Sequence, residues 1–293
     1  MNIRLGANPI IWSNDDMREL GGETPLETCL AQARGIGFEG MELGHKFPRD
    51  ARELATTLDR FGLACVSGWY SAGLLARDEA AELAHLRSHL ELLKAVGSST
   101  LVFAEVSGAI HGDIRRPLSA RPILGAGEWR EFGRRLTEVA AITASEGVRL
   151  AYHHHVGTVV QSEEDIERLM DCTGAAVGLL LDTGHAALAE VDPVMLAKRY
   201  ASRISHVHAK DVRTTVCERV RSEDWSFLRA VVEGVFTVPG DGSVDFAGVL
   251  RELRSYSGWL VLEAEQDPRI ADPLRYASLG YSNLQRLVSE NMP

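Results

Sequence analysis

Cysteine is scarce in this chain of 293 residues: Cys29, Cys65, Cys172 and Cys217 lie far apart, with no Cys-x-x-Cys pair among them. Spacing of this kind argues against a disulfide framework and suits reduced thiols that serve as packing residues in a cytoplasm. Basic residues are outnumbered, with 31 Lys and Arg against 41 Asp and Glu, a net charge of -10. That balance favours solubility and disfavours a general binder of phosphate backbones, so no nucleic-acid partner is expected. No apolar run approaches the roughly 20 residues of a membrane span. The opening Met1-Asn2-Ile3-Arg4-Leu5-Gly6 lacks the charged lead, apolar stretch and small-residue cleavage site of a secretory signal. The expectation is a cytoplasmic protein with no membrane partner. Linkers and low-complexity segments are also missing.

What is present is a rhythm. Short apolar runs alternate with stretches of helical period from one end to the other. The spacing predicts strands at Ile3-Ala7, Gly40-Leu43, Ala64-Gly68, Thr100-Ala104, Val148-Tyr152, Val177-Leu181, Ile204-Val207 and Trp259-Leu262. Helices are predicted at about Pro25-Gly35, Pro48-Phe61, Asp78-Val96, Glu128-Glu146, Ser162-Cys172, Pro193-Ser202, Phe246-Tyr256 and Pro273-Ser289. Thr24 before Pro25, Ser162 with Asp165, Asp192 before Pro193 and Asp272 before Pro273 read as helix starts. Eight such units in a chain of this length predict an α/β protein, a (β/α)8 TIM barrel forming a single domain over residues 1–293. Two long connections, Val106 to Gly127 and Lys210 to Val244, are expected to shape a pocket on the C-terminal rim.

Four runs in the second half end on residues that bind divalent metals. Tyr152 leads into His153-His154-His155, Leu181 into Asp182-Thr183-Gly184-His185, and Leu262 into Glu263-Ala264-Glu265, while His206 and His208 share one face of their strand. Parallel neighbours would bring these ends to one rim, where such barrels build active sites. Oxygen and imidazole donors without thiolates suit Mn2+, Co2+, Mg2+ or Zn2+. Asp182, His208 and Glu263 are the expected ligands, with a fourth from the strand-five histidines, His153 or His155.

Around them, Lys210 is a candidate acid, base or electrostatic group if desolvation lowers its pKa, and Asp211 a candidate acceptor that orients His208 or Lys210. His185 is a proton carrier or a cap on the following helix. Glu42 and Glu105, at the ends of strands two and four, are structural acceptors or catalysts. Trp12 and Trp69 are candidate walls for a ring-shaped substrate, with His155, Glu265 and Asp211 as further contacts. Pro239-Gly240-Asp241-Gly242 reads as a turn, since the rest of a nucleotide fingerprint is missing.

Leu181-Asp182-Thr183-Gly184-His185, His206-Val207-His208-Ala209-Lys210-Asp211 and Pro239-Gly240-Asp241-Gly242 followed by Gly258 to Glu263 resemble the xylose isomerase-like (AP endonuclease 2) TIM barrels, which include endonuclease IV. More closely, Gly6-Ala7-Asn8-Pro9-Ile10, Gly68-Trp69-Tyr70, Tyr152 to Thr158 and Glu263-Ala264-Glu265-Gln266-Asp267-Pro268 are similar to the inosose dehydratase family. The resemblance implies dehydration of 2-keto-myo-inositol to a trihydroxycyclohexane-dione with Mn2+ or Co2+, and an association with glutathione. It places His153 where many relatives carry a Glu ligand; proton removal next to a ketone and loss of the β-hydroxyl need a base and an acid, for which Lys210, His185 and Glu42 are the candidates. An isomerase or epimerase with the same metal and enediolate chemistry is the alternative. Self-association into a homo-oligomer is left open.

Overall fold

The structure is a computed structural model that describes residues 3–292. Among the described residues there are ten strands: β1 Ile3–Ala7, β2 Gly40–Leu43, β3 Ala64–Ala72, β4 Thr100–Glu105, β5 Arg149–His153, β6 Gly178–Asp182, β7 Ile204–Ala209, β8 Asp211–Val212, β9 Phe236–Thr237 and β10 Gly258–Leu262. Eight of them close a parallel barrel in the order β1-β10-β7-β6-β5-β4-β3-β2, and β8 pairs antiparallel with β9 outside it. The (β/α)8 architecture expected from the sequence is therefore present.

Helices wrap the barrel because their apolar residues recur at helical spacing. In Ala126–Ser145, Trp129, Phe132, Leu136, Val139 and Ala140 are buried on one stripe, and each large side chain so buried stabilises by about 1.5–3 kcal/mol. Ser162 and Asp165 form a capping box, and Asp192 and Asp272 cap the helices that follow them. Thr24 is a correction: the first helix, Leu26–Ile36, has Pro25 at its N-cap and no side-chain cap. Pro25 is extended, with ψ 147, so it stands outside the helix and displaces Thr24 from the capping position.

The barrel interior is plugged from below. Trp259 of β10 and Val66 of β3 press on Gly40, where an added Cβ would lie 2.7 Å from each. Above this plug Val102, Ala151 and Leu180 form a small apolar layer with Trp69 packed on it. The connection after β7 is not a bare loop: β8, β9 and the helices Thr214–Ser222 and Phe227–Val232 bury their own cluster, including Val212, Cys217, Trp225, Phe227 and Phe236. This insertion stands over the C-terminal rim.

Candidate metal centre

Register aligns the ligand-bearing strand ends. Asp182 lies opposite His208 across β6 and β7, and Ala7 lies opposite Leu262 across β1 and β10. Asn8 and Glu263, one residue further, are thus level with each other.

Each candidate ligand is pinned through one atom and leaves another toward the centre. Asp182 caps the short helix Thr183–Leu188, its Oδ1 accepting from His185 N at 2.8 Å, while Oδ2 is buried without a hydrogen bond. The cap belongs to Asp182, which corrects the alternative reading of His185 as cap. His153 Nδ1 contacts the His154 carbonyl at 2.8 Å; only an N–H satisfies a carbonyl, so Nε2 carries the lone pair, 3.6 Å from Asp182 Oδ2. His155 is set likewise, its Nδ1 donating to the Val156 carbonyl at 2.7 Å.

Glu42 of β2 fixes the far side. Its Oε1 takes His206 Nε2 at 2.8 Å, His208 Nε2 at 3.2 Å and the Ser67 hydroxyl. His208 Nδ1 then faces inward, 2.8 Å from Glu263 Oε2 and 3.5 Å from Asp182 Oδ2, without hydrogen-bond alignment to either. Burial alone would raise the Glu42 carboxyl, but His208 and His206 outweigh it and hold it well below the usual range. Burial likewise disfavours charge on His208, yet Glu263 and Glu42 keep its pKa well above the ordinary value. Asn8 Nδ2 donates to Glu42 Oε2 at 2.8 Å and to Glu263 Oε2 at 2.9 Å, tying two carboxylates from opposite sides of the chain.

Lys210 is fully buried beneath the centre. Its Nζ lies 2.6 Å from Glu263 Oε1, 2.9 Å from Glu265 Oε2, 3.1 Å from His185 Nε2 and 3.4 Å from Asp182 Oδ2. The sequence suggested a lysine whose pKa falls on burial. Burial does act that way, but the three carboxylates overcome it and raise the ammonium further. Burial, with Glu263 assisting and Lys210 opposing, pushes the Glu265 carboxyl up to about 8. His155 and His185 are held well below the ordinary imidazole value by burial and neighbouring cationic groups. Phe227 and Phe236 of the insertion cover His185, with ring centroids 5.7 and 5.3 Å away.

A cavity of about 290 Å³ opens above these groups, lined among others by Asn8, Glu42, Trp69, His153, His155, His208, Glu263 and Glu265. Trp69 meets the edges of His153 and His155. Trp12 does not reach this lining: its indole is buried in the core and donates to Gln32 Oε1 at 2.7 Å. Asp211 is a further correction, because both its oxygens accept backbone N–H groups of Val212, Gly240, Gly242 and Val244. It holds the 239–242 turn against β8, not His208 or Lys210. Glu105 accepts from Leu74, Leu75 and Ser107 backbone and is structural. Lys210 and His185 lie below the cavity, not on its wall, and Glu42 is saturated by hydrogen bonds. Asn8 and His111, both on the lining, were not singled out as site residues from the sequence. Asn8 shows the same signal as the others, a polar residue immediately after a strand.

The donors fit a divalent ion. His153 Nε2, Asp182 Oδ2, His208 Nδ1 and Glu263 Oε2 are linked in turn by contacts of 3.6, 3.5 and 2.8 Å, Asp182 Oδ2 and His208 Nδ1 being orphaned and buried, and ligand atoms of His153, Asp182, His185 and Glu263 all lie within 4.8 Å of one another. The buried negative charge of Asp182 and Glu263 is offset by Lys210 and by the His208 imidazole, whose pKa they raise, and a divalent ion would take the place of the His208 proton between them. Glu42 behind His208 and the His154 carbonyl behind His153 are outer partners of the kind that orient metal-binding histidines.

Comparison with known proteins identifies the family. The family model of the xylose isomerase-like TIM barrel matches residues 30–281, and the chain belongs to that family. Within it, the chain is 42% identical over 281 residues to the inosose dehydratase of Geobacillus thermodenitrificans, covering 94% of both chains. It is 50% identical over 291 residues to the rhizopine catabolism protein MocC of Rhizobium meliloti, covering 99% of this chain and 90% of that one. Among solved structures, the IOLI protein with a bound zinc atom superposes with a TM-score of 0.72 at 16% identity over 99% of both chains, a likeness of fold.

Proposed function

We propose that the protein is a hydro-lyase, an inosose dehydratase that converts 2-keto-myo-inositol to a trihydroxycyclohexane-1,2-dione with a divalent ion such as Mn2+ or Co2+. The observation that carries this reading is the placing of His153, His208 and Glu263 on the lining of a polar cavity, with Asp182 buried against His153 and His208, in a chain so similar over its whole length to inosose dehydratases. Those four residues would hold the ion. When bound, it supplies Lewis-acid stabilisation to oxygens that gain negative charge.

The remaining chemistry falls to side chains on the cavity wall. His155, neutral and with Nε2 as its basic atom, takes the proton from the carbon next to the ketone, and the electron pair moves into an enediolate. Collapse of the enediolate expels the hydroxyl on the next carbon, which leaves as water with a proton from the Glu265 carboxyl. The resulting enol becomes the 1,2-dione. Lys210 stays charged beneath Glu263 and Glu265 and sets their position. Trp69 forms a wall for the ring. The cavity, near the lower end of ligand sites at roughly 300 Å³, suits a small cyclic polyol. The reading takes a single barrel domain acting in the cytoplasm, in keeping with the lack of any membrane-length apolar helix among the described residues. It gives glutathione no role.

The test is conversion of 2-keto-myo-inositol by chelator-stripped protein before and after addition of divalent ions, with the product identified by mass. The proposal predicts loss of one water only after ion addition. Equal conversion by the stripped protein would remove the metal from the account, and no conversion with any ion would remove the activity.

A further inference from the structure

Lys210 is unusual among the buried groups because it is a cation in a cage built for one. Three carboxylate oxygens surround Nζ, Glu263 Oε1, Glu265 Oε2 and Asp182 Oδ2, at 2.6 to 3.4 Å, and His185 Nε2 lies 3.1 Å away. An ammonium has three N–H donors, which the three carboxylates take up, so His185 Nε2 stands against the cation as a further nitrogen beyond the hydrogen-bonded shell. Three carboxylate oxygens and an imidazole nitrogen are instead the donor set of a hard-to-borderline divalent ion. His155, His185 and Glu265 also bring ligand atoms within 4.8 Å of one another.

Two carboxylates are shared between this cage and the centre beside it. Glu263 turns Oε2 to His208 and Oε1 to Lys210, and Asp182 Oδ2 lies within 3.6 Å of His153, His208 and Lys210 alike. Bridging carboxylates of this kind join paired ions about 3.5–4 Å apart in two-metal sites. The stem of Lys210 reaches the cage across Gly184, where a Cβ would lie 2.4 Å from Lys210 Cγ. The Phe236 ring, 4.7 Å from Nζ, closes the other side.

Building on the divalent-ion reading above, we propose that the Lys210 ammonium occupies the second cation position of a bridged two-cation site, so that the protein takes one divalent ion and holds a second metal site closed with a tethered charge. Removing the ammonium while keeping most of the apolar stem opens the site.

The experiment is native mass spectrometry of the full chain after equilibration with Mn2+, for the wild type, Lys210→Met and Lys210→Gln, with circular dichroism to confirm folding. The expected result is one ion per wild-type chain and two in either variant, returning to one when Glu265→Gln is added. A single ion in both folded variants would overturn the proposal. So would two ions in the wild type, seen independently as a spin-coupled Mn2+ pair by electron paramagnetic resonance, which decides the matter even if neither variant folds. A wild type that binds no ion would instead overturn the underlying metal reading.

Discussion

The two ends of the barrel carry cavities of opposite character. The one at the N-terminal mouth is larger, about 530 Å³, and is lined by small residues such as Ser99, Ala144 and Gly147 with Arg149 and Trp259. The one at the C-terminal rim, about 290 Å³, is walled by carboxylates and imidazoles. Volume alone would choose the wrong end. Parallel strands direct every βα connection to the same rim, so polar residues that follow a strand accumulate there, while the opposite mouth needs only to be filled. His206 belongs to both ends: it lines the lower cavity and holds Glu42 for the upper one.

That contrast can be broken by substitution. The largest effect is expected at the rim: Asp182→Ala and Glu263→Ala each remove an ion ligand, and activity and bound metal should fall by more than about a hundredfold, beyond the loss typical of outer-sphere partners, with circular dichroism unchanged. Retention of metal and activity in both would dissolve the centre. Glu265→Gln should keep the ion but slow turnover roughly 10²-fold or more, the contribution of a proton donor; an unchanged kcat would free Glu265 from that role. Glu42→Gln loosens His208, and ion affinity by titration calorimetry should weaken about 10–100-fold. The smallest effect belongs to the lower mouth. The Ser205 hydroxyl is buried there without a partner, so Ser205→Ala should shift stability by less than about 0.5 kcal/mol and leave turnover unchanged. A large loss of activity would erase the distinction between the two ends.

The sequence carried much of this contrast because both of its signals are local. Strand after helix after strand is written in periodicity, and a polar residue after an apolar run marks a rim position without any knowledge of its neighbours. What was not legible is pairing across the barrel. Glu42 meets His206 over 164 residues, and no spacing announces it. Lys210 was misjudged for the same reason: burial is readable from an apolar context, but the three carboxylates that reverse its effect come from β6 and the end of β10. Trp12 stands beyond the end of β1 and Trp69 near the end of β3, and only packing separates the core residue from the wall. The β8–β9 pair was missed because strands of two residues have no period to read.

Heavy water offers the most direct test of the central claim, that this site removes a proton and then expels hydroxide. Metal-loaded protein incubated with 2-keto-myo-inositol in D2O should yield a product one water lighter than the substrate, with deuterium entering at the carbon that lost its hydroxyl. Recovery of inosose that carries deuterium but has lost no water would contradict the account and assign the same residues to an epimerase.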